Sequence, residues 1–117
     1  MNYFDSARTL LPLSNCLKRH YACVIVRGEH IIATGYNKSL HGCTECAREG
    51  IEHNTGDYSE CRSLHAEQMA LIRARENDFI GAKLYLVCDK ELDPTPCPIC
   101  WRMIQFAGIE FVREISS

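Results

Sequence analysis

The chain lacks the marks of an exported or membrane protein. Its start, Met1 to Pro12, carries Asp5 and Arg8 among apolar positions, without the charged segment and apolar run of a signal peptide. No uncharged apolar stretch is long enough to cross a bilayer. The cytoplasm is therefore the expected setting, and no membrane partner is expected. A basic excess is missing too. Lys and Arg number 13 against 15 Asp and Glu, the net charge is −2, and the pI is about 6.2. There is no general basic field for gripping a nucleic-acid backbone, so no nucleic-acid partner is expected. Repeats and low-complexity tracts are absent. With 117 residues there is no room for a second core, so residues 1–117 read as one domain. Apolar residues at 46% and charged residues at 24% exclude disorder as the main state.

Cysteine, by contrast, is abundant, with eight in the chain. In a secreted domain this density reads as disulfides. With no export signal, metal binding or catalysis is the better reading. The local pattern places these cysteines on elements. Asn2 to Arg19 has helical spacing, weakened at Pro12. Tyr21 to Val26 is an apolar, β-branched strand, and Gly28-Glu29 fits a tight turn into a returning strand, His30 to Tyr36. Lys38 to Arg62 has no period and few large apolar groups. Ser63 is a candidate N-cap for a helix over Leu64 to Glu76. Lys83 to Cys88 is a strand, and Asp89 to Thr95 a polar loop. Thr95 can cap a further helix, with Pro96 at its first position and Gly108 at its end. Ile109 to Ile115 is a last strand. The order predicts a mixed α/β sheet with helices on its faces, an antiparallel first hairpin and parallel later crossings.

Two short motifs carry the chemistry. His65-Ala66-Glu67 opens one helix, and Pro96-Cys97-Pro98-Ile99-Cys100 opens the next. Cys97 and Cys100 are three apart, so both thiols share a helix face. A helix N-terminus favours thiolate, the form that binds metal. With His65 they make three ligands, where zinc takes four, which leaves one position for water. Glu67 is then free to act as an acid and base rather than a ligand. Alone, a His at a helix start is usually a cap or surface group, and a C-x-x-C is as readily redox or structural. Together they form the signature of zinc deaminases. A structural zinc, or no metal at all, is the bland alternative.

On these residues the chain resembles the cytidine/deoxycytidylate deaminase superfamily, and most closely its dCMP deaminase-like branch. Further stretches look like that branch. They are Ser14-Asn15-Cys16-Leu17-Lys18-Arg19, Val24-Ile25-Val26, Ile31-Ile32-Ala33-Thr34-Gly35-Tyr36-Asn37, and Cys61-Arg62-Ser63-Leu64 leading into His65-Ala66-Glu67. The resemblance implies a three-layer α/β/α deaminase fold and places Asn37 beside the substrate sugar. Ala66 is the other candidate substrate contact. It also implies hydrolysis of dCMP to dUMP with release of ammonia. Another nucleoside, nucleotide or base, or adenosine in tRNA, is the enzymatic alternative. A zinc-ordered interaction module is the alternative without catalysis. Departures from the branch are Lys38 after Gly-Tyr-Asn, where Gly is frequent, a longer Asp89 to Thr95 loop and an earlier end.

Some dCMP deaminases carry a structural zinc near the corresponding loop. Here Cys43-Thr44-Glu45-Cys46 has chelating spacing, and Cys61 lies just before the catalytic helix. Cys16, Cys43, Cys46 and Cys61 are the expected ligands of a second, structural zinc, with His53 in reserve. Cys23 and Cys88, inside apolar strands, read as packing. Tyr36 and Trp101 are the aromatics nearest the motifs. Lys18, Arg19, Lys38, Arg62, Arg73 and Arg102 are candidate cations for a 5′-phosphate. A homo-oligomer is expected, since a short domain has few other ways to cover apolar surface.

Overall fold

The structure is a computed structural model that describes residues 2–15, 19–39, 63–74, 79–90 and 94–114. Helix α1 (Tyr3–Arg8) starts on Asn2, whose side chain accepts the Asp5 N–H at 2.9 Å. It is far shorter than the helix expected over Asn2 to Arg19. Pro12 has no N–H and its ring clashes with the carbonyl four residues back, at Arg8. The chain therefore leaves the α-helix there and makes a 3-10 turn over Leu11–Leu13.

Strands β1 (Tyr21–Arg27) and β2 (His30–Tyr36) form the expected antiparallel hairpin. Gly28 supplies the positive φ, 63°, that the tight turn needs. Strand β5 (Lys83–Cys88) pairs antiparallel with the other edge of β1, and β6 (Glu110–Val112) pairs parallel with β5. The sheet order is β2-β1-β5-β6. β2 and β5 thus run in the same direction without touching, because β1 lies between them. Two short strands, β3 (Lys38–Ser39) and β4 (Ser63–Leu64), pair antiparallel apart from this sheet.

Helix α2 (Ala66–Arg73) follows β4, and α3 (Pro98–Ala107) joins β5 to β6. Both begin two residues later than expected. Ser63 is taken by the β3–β4 pairing, so His65 caps α2. Cys97 rather than Thr95 caps α3, and Pro98 rather than Pro96 enters its first turn. Gly108 ends α3 in the left-handed conformation, as expected. The last strand is confined to Glu110–Val112 among the described residues.

β1 divides the core into two layers. Ala22, Val24 and Val26 pack with Phe4, Ala7 and Val87 on the α1 side. Cys23 and Ile25 face Ala66, Ala70, Leu84, Leu86 and Ile104 on the α2 and α3 side. Alternate residues of a strand point to opposite faces, so one buried strand serves both layers. The result is the expected α/β/α arrangement. Among the described residues, no helix is long and apolar enough to cross a membrane.

Candidate metal centre

The first turns of α2 and α3 converge. His65 Nδ1 lies 3.5 Å from Cys97 Sγ and 3.4 Å from Cys100 Sγ. All three donor atoms fall within 4.8 Å of one another. Cys97 and Cys100 are buried and His65 is half-buried. Each helix brings its own N-cap residue. His65 is in extended backbone (φ −72°, ψ 152°), and its N–H donates to Gln68 Oε1 at 3.0 Å. Cys97 Sγ accepts the Cys100 N–H at 3.5 Å.

The hydrogen bond from Cys100 pulls the Cys97 thiol down to about 4, against its burial and with help from His65. The same hydrogen bond, burial and the nearby Glu67 charge push Cys100 well above the ordinary thiol range. One imidazole and two cysteine sulfurs within reach of one another suit zinc, with three protein donors and a fourth position left over.

Glu67 is one helix position beyond Ala66 and only 4% exposed. Desolvation raises its pKa above the ordinary carboxyl range, with a further push from Cys97. A backbone hydrogen bond, His65 and a hydrogen bond with Cys100 pull the other way. Behind it lies the fully buried Cys23, whose thiol burial holds in its neutral form. A buried carboxyl that holds a proton more tightly than usual is suited to moving one.

The remaining expected residues divide into three groups. Asn37 is buried at the end of β2, and its amide is engaged within the fold. Its Oδ1 accepts from the Ser14 hydroxyl and, at 2.8 Å, from the Tyr21 N–H. Its Nδ2 donates to the Arg19 carbonyl at 2.7 Å. Ala66 is fully buried in the first turn of α2. Among the cation candidates, Arg73 sits 5.5 Å over the Tyr36 ring, and exposed Arg102 borders an apolar groove with Phe79 and Phe106. Arg19 is half-buried and Lys38 exposed. Trp101 packs edge-on against Phe111, with centroids 5.6 Å apart. Cys16, Cys43, Cys46, Cys61 and His53, together with Lys18 and Arg62, lie outside the described residues.

Two residues at the centre were missed in the sequence. Gln68 stands three after the true cap, the capping-box position, which was hidden while the cap was placed at Ser63. Gly35 lies under α2. A Cβ there would stand 2.0 Å from the Ala66 carbonyl oxygen and 2.9 Å from the Ala70 nitrogen. Nothing local in the sequence marks that close approach.

A family model described as the cytidine and deoxycytidylate deaminase zinc-binding region matches residues 2–113. The chain belongs to this family. A deoxycytidylate deaminase of Schizosaccharomyces pombe is 36% identical over 116 residues, covering 94% of this chain and 34% of that protein. A deoxycytidylate deaminase of Mycobacterium phage D29 is 33% identical over 108 residues, covering 85% of this chain and 80% of that protein. A crystal structure of dCMP deaminase from the cyanophage S-TIM5, in complex with dCMP and dUMP, matches with a TM-score of 0.63 at 26% identity. That match covers 93% of this chain and 76% of that one. The chain spans about a third of the length of the yeast relatives it matches. The deaminase family's zinc-binding region and the His-Cys-Cys donor set agree on zinc.

Proposed function

We propose that this deaminase-family chain hydrolyses dCMP to dUMP and ammonia, with zinc held by His65, Cys97 and Cys100. Glu67 is the observation that carries the reading. A structural zinc site has no need of a buried carboxyl beside its donors, whereas hydrolytic deamination does. The phage relative's complex with dCMP and dUMP supports the choice of substrate and product.

Zinc at these donors supplies Lewis acidity, which makes water a nucleophile near neutral pH. Glu67 takes the proton that water gives up as it attacks C4 of the cytosine ring. The carboxyl then passes the proton to the ring nitrogen, and it serves again as the exocyclic amine leaves as ammonia. Low exposure of Glu67, Cys97 and Cys100 keeps bulk water from competing for those protons. Asn37 and Ala66 remain the proposed substrate contacts, and Cys16, Cys43, Cys46 and Cys61 the proposed ligands of a second, structural zinc. One domain over residues 1–117 belongs to the same proposal. So does a cytoplasmic setting, with the four described cysteines unpaired. Homo-oligomerisation is supported by the exposed Ile72, Ile80 and Phe106.

The test is metal analysis together with ammonia release from dCMP, dCTP, deoxycytidine, cytosine and an adenosine-bearing tRNA stem-loop. Zinc with turnover of dCMP ahead of the others is expected. A zinc-loaded protein that releases no ammonia from any of them would leave a zinc-ordered interaction module. Two zinc ions per chain rather than one would support the second site. Light scattering on the same sample reads the oligomeric state.

A further inference from the structure

We propose that Gln68 is the positioning residue of the metal centre, holding His65 in place through the hydrogen bond from the His65 N–H to Gln68 Oε1. The inference rests on the zinc reading given above. It starts from an asymmetry among the three donors. Cys97 and Cys100 belong to one helix start, where helical geometry and the Cys100 N–H to Cys97 Sγ contact fix their separation. His65 belongs to another element and lies before the first helical residue, in extended backbone. No helical hydrogen bond made by its own N–H restrains it there.

Gln68 supplies that restraint. It sits at the third helical position, half-buried, and reaches back 3.0 Å to the His65 N–H. The other end of the same peptide stretch is fixed by the Met69 N–H donating to the His65 carbonyl at 3.0 Å. His65 is thus tied on both sides of its Cα to the first turn of α2. Rotation about its φ and ψ swings the imidazole and changes the 3.5 and 3.4 Å separations of Nδ1 from the two sulfurs. Removing the Gln68 acceptor takes away the His65 N–H hydrogen bond, one half of the capping box, and leaves every metal donor in the chain. The loss is therefore one of preorganisation, in the donor set rather than in the number of donors.

The experiment uses the full chain and three substitutions at one site. Gln68→Leu removes the acceptor at similar size, Gln68→Met removes it with a strong helix former, and Gln68→Glu keeps an acceptor at the capping-box position. Circular dichroism confirms that each is folded. Should Gln68→Leu fail to fold, Gln68→Met carries the test. Zinc affinity is read by competition with a chromophoric chelator, and donor geometry by the visible d–d bands of cobalt(II) in place of zinc. Gln68→Leu and Gln68→Met should lose zinc affinity by about tenfold or more, the range seen when partners of metal ligands are removed. Their cobalt bands should shift or weaken, and Gln68→Glu should restore both. A merely structural role would lower the melting temperature and leave affinity and cobalt bands unchanged. Cys97→Ser is run alongside. If it loses zinc while the Leu and Met variants keep parental affinity and bands, the positioning role is overturned and the zinc site stands. If Gln68→Glu is as weak as Gln68→Leu, the hydrogen-bond account is overturned. If Cys97→Ser keeps its zinc, the zinc reading falls and this inference with it.

Discussion

Helix α2 begins on His65 and helix α3 on Cys97, so each gives its cap residue to the same centre. The two starts are held by different means. At α3 everything is local. Cys100 follows one turn later, its N–H meets Cys97 Sγ, Pro98 presets the first turn, and Gly108 closes the end. At α2 a helix of eight residues supplies one donor and the buried carboxyl, and its seat is made elsewhere in the chain. Ala66 and Ala70 rest against β2 at Gly35, where there is no Cβ to hold the helix off. The difference teaches that the thiol pair carries its geometry within α3, whereas His65 and Glu67, held to α2 by its own first turn, meet the thiols only through the docking of that helix. Damage to the sheet should reach the second pair and spare the first.

Breaking the α3 side should have the largest effect. Cys97→Ser removes one sulfur of the cluster but leaves a good N-cap, so the helix start survives. Zinc and ammonia release are both expected to drop to background, read by metal analysis and a coupled assay. Next comes Glu67→Gln, on the α2 side, which leaves all three donors. It should retain zinc and lower kcat by roughly 10²–10⁴-fold, the usual worth of a positioned acid and base. A rate within a few-fold of the parent would take Glu67 out of the mechanism.

Gly35→Ala tests the docking itself. The added methyl meets helix backbone, which has no rotamer to yield, so the cost should lie at or above the top of the ~1–3 kcal/mol usual for overpacking. Urea denaturation measures it, and zinc affinity should fall with it although both cysteines remain. The smallest effect is expected from Pro98→Ala. Losing the preset φ should cost about 0.4–1 kcal/mol in the same titration, with zinc content unchanged.

What was legible in the sequence follows the same division. The bounds of β2 and β5 matched, and β1 ran one residue further, because their apolar patterns and the Gly28 turn are local signals. That His65, Cys97 and Cys100 gather in one place was legible because the two short motifs, each weak alone, form a known combination. The cap of α2 was misplaced because Ser63 pairs with Ser39, and Leu64 with Lys38, across the chain, which no window around Ser63 shows. The cap of α3 was misplaced because Pro96 and Pro98 satisfy the same rule, and the thiol acceptor at Cys97 decides between them. Asn37 was read by resemblance as a sugar contact. Its ties to Ser14, Tyr21 and Arg19 join segments that only the folded chain brings together.

The place of β1 between β2 and β5 has a consequence for the nascent chain. During synthesis the β1–β2 hairpin emerges early, with one edge of β1 still bare and both faces strongly apolar. The strand that covers that edge, from Tyr21 opposite Cys88 to Val26 opposite Lys83, leaves the ribosome only after the whole of α2. Until then the middle of the future sheet is an open edge of the kind that recruits strands from other molecules. Chains that stall before Lys83 are therefore the ones exposed to aggregation, and those that pass Cys88 can close the edge within themselves.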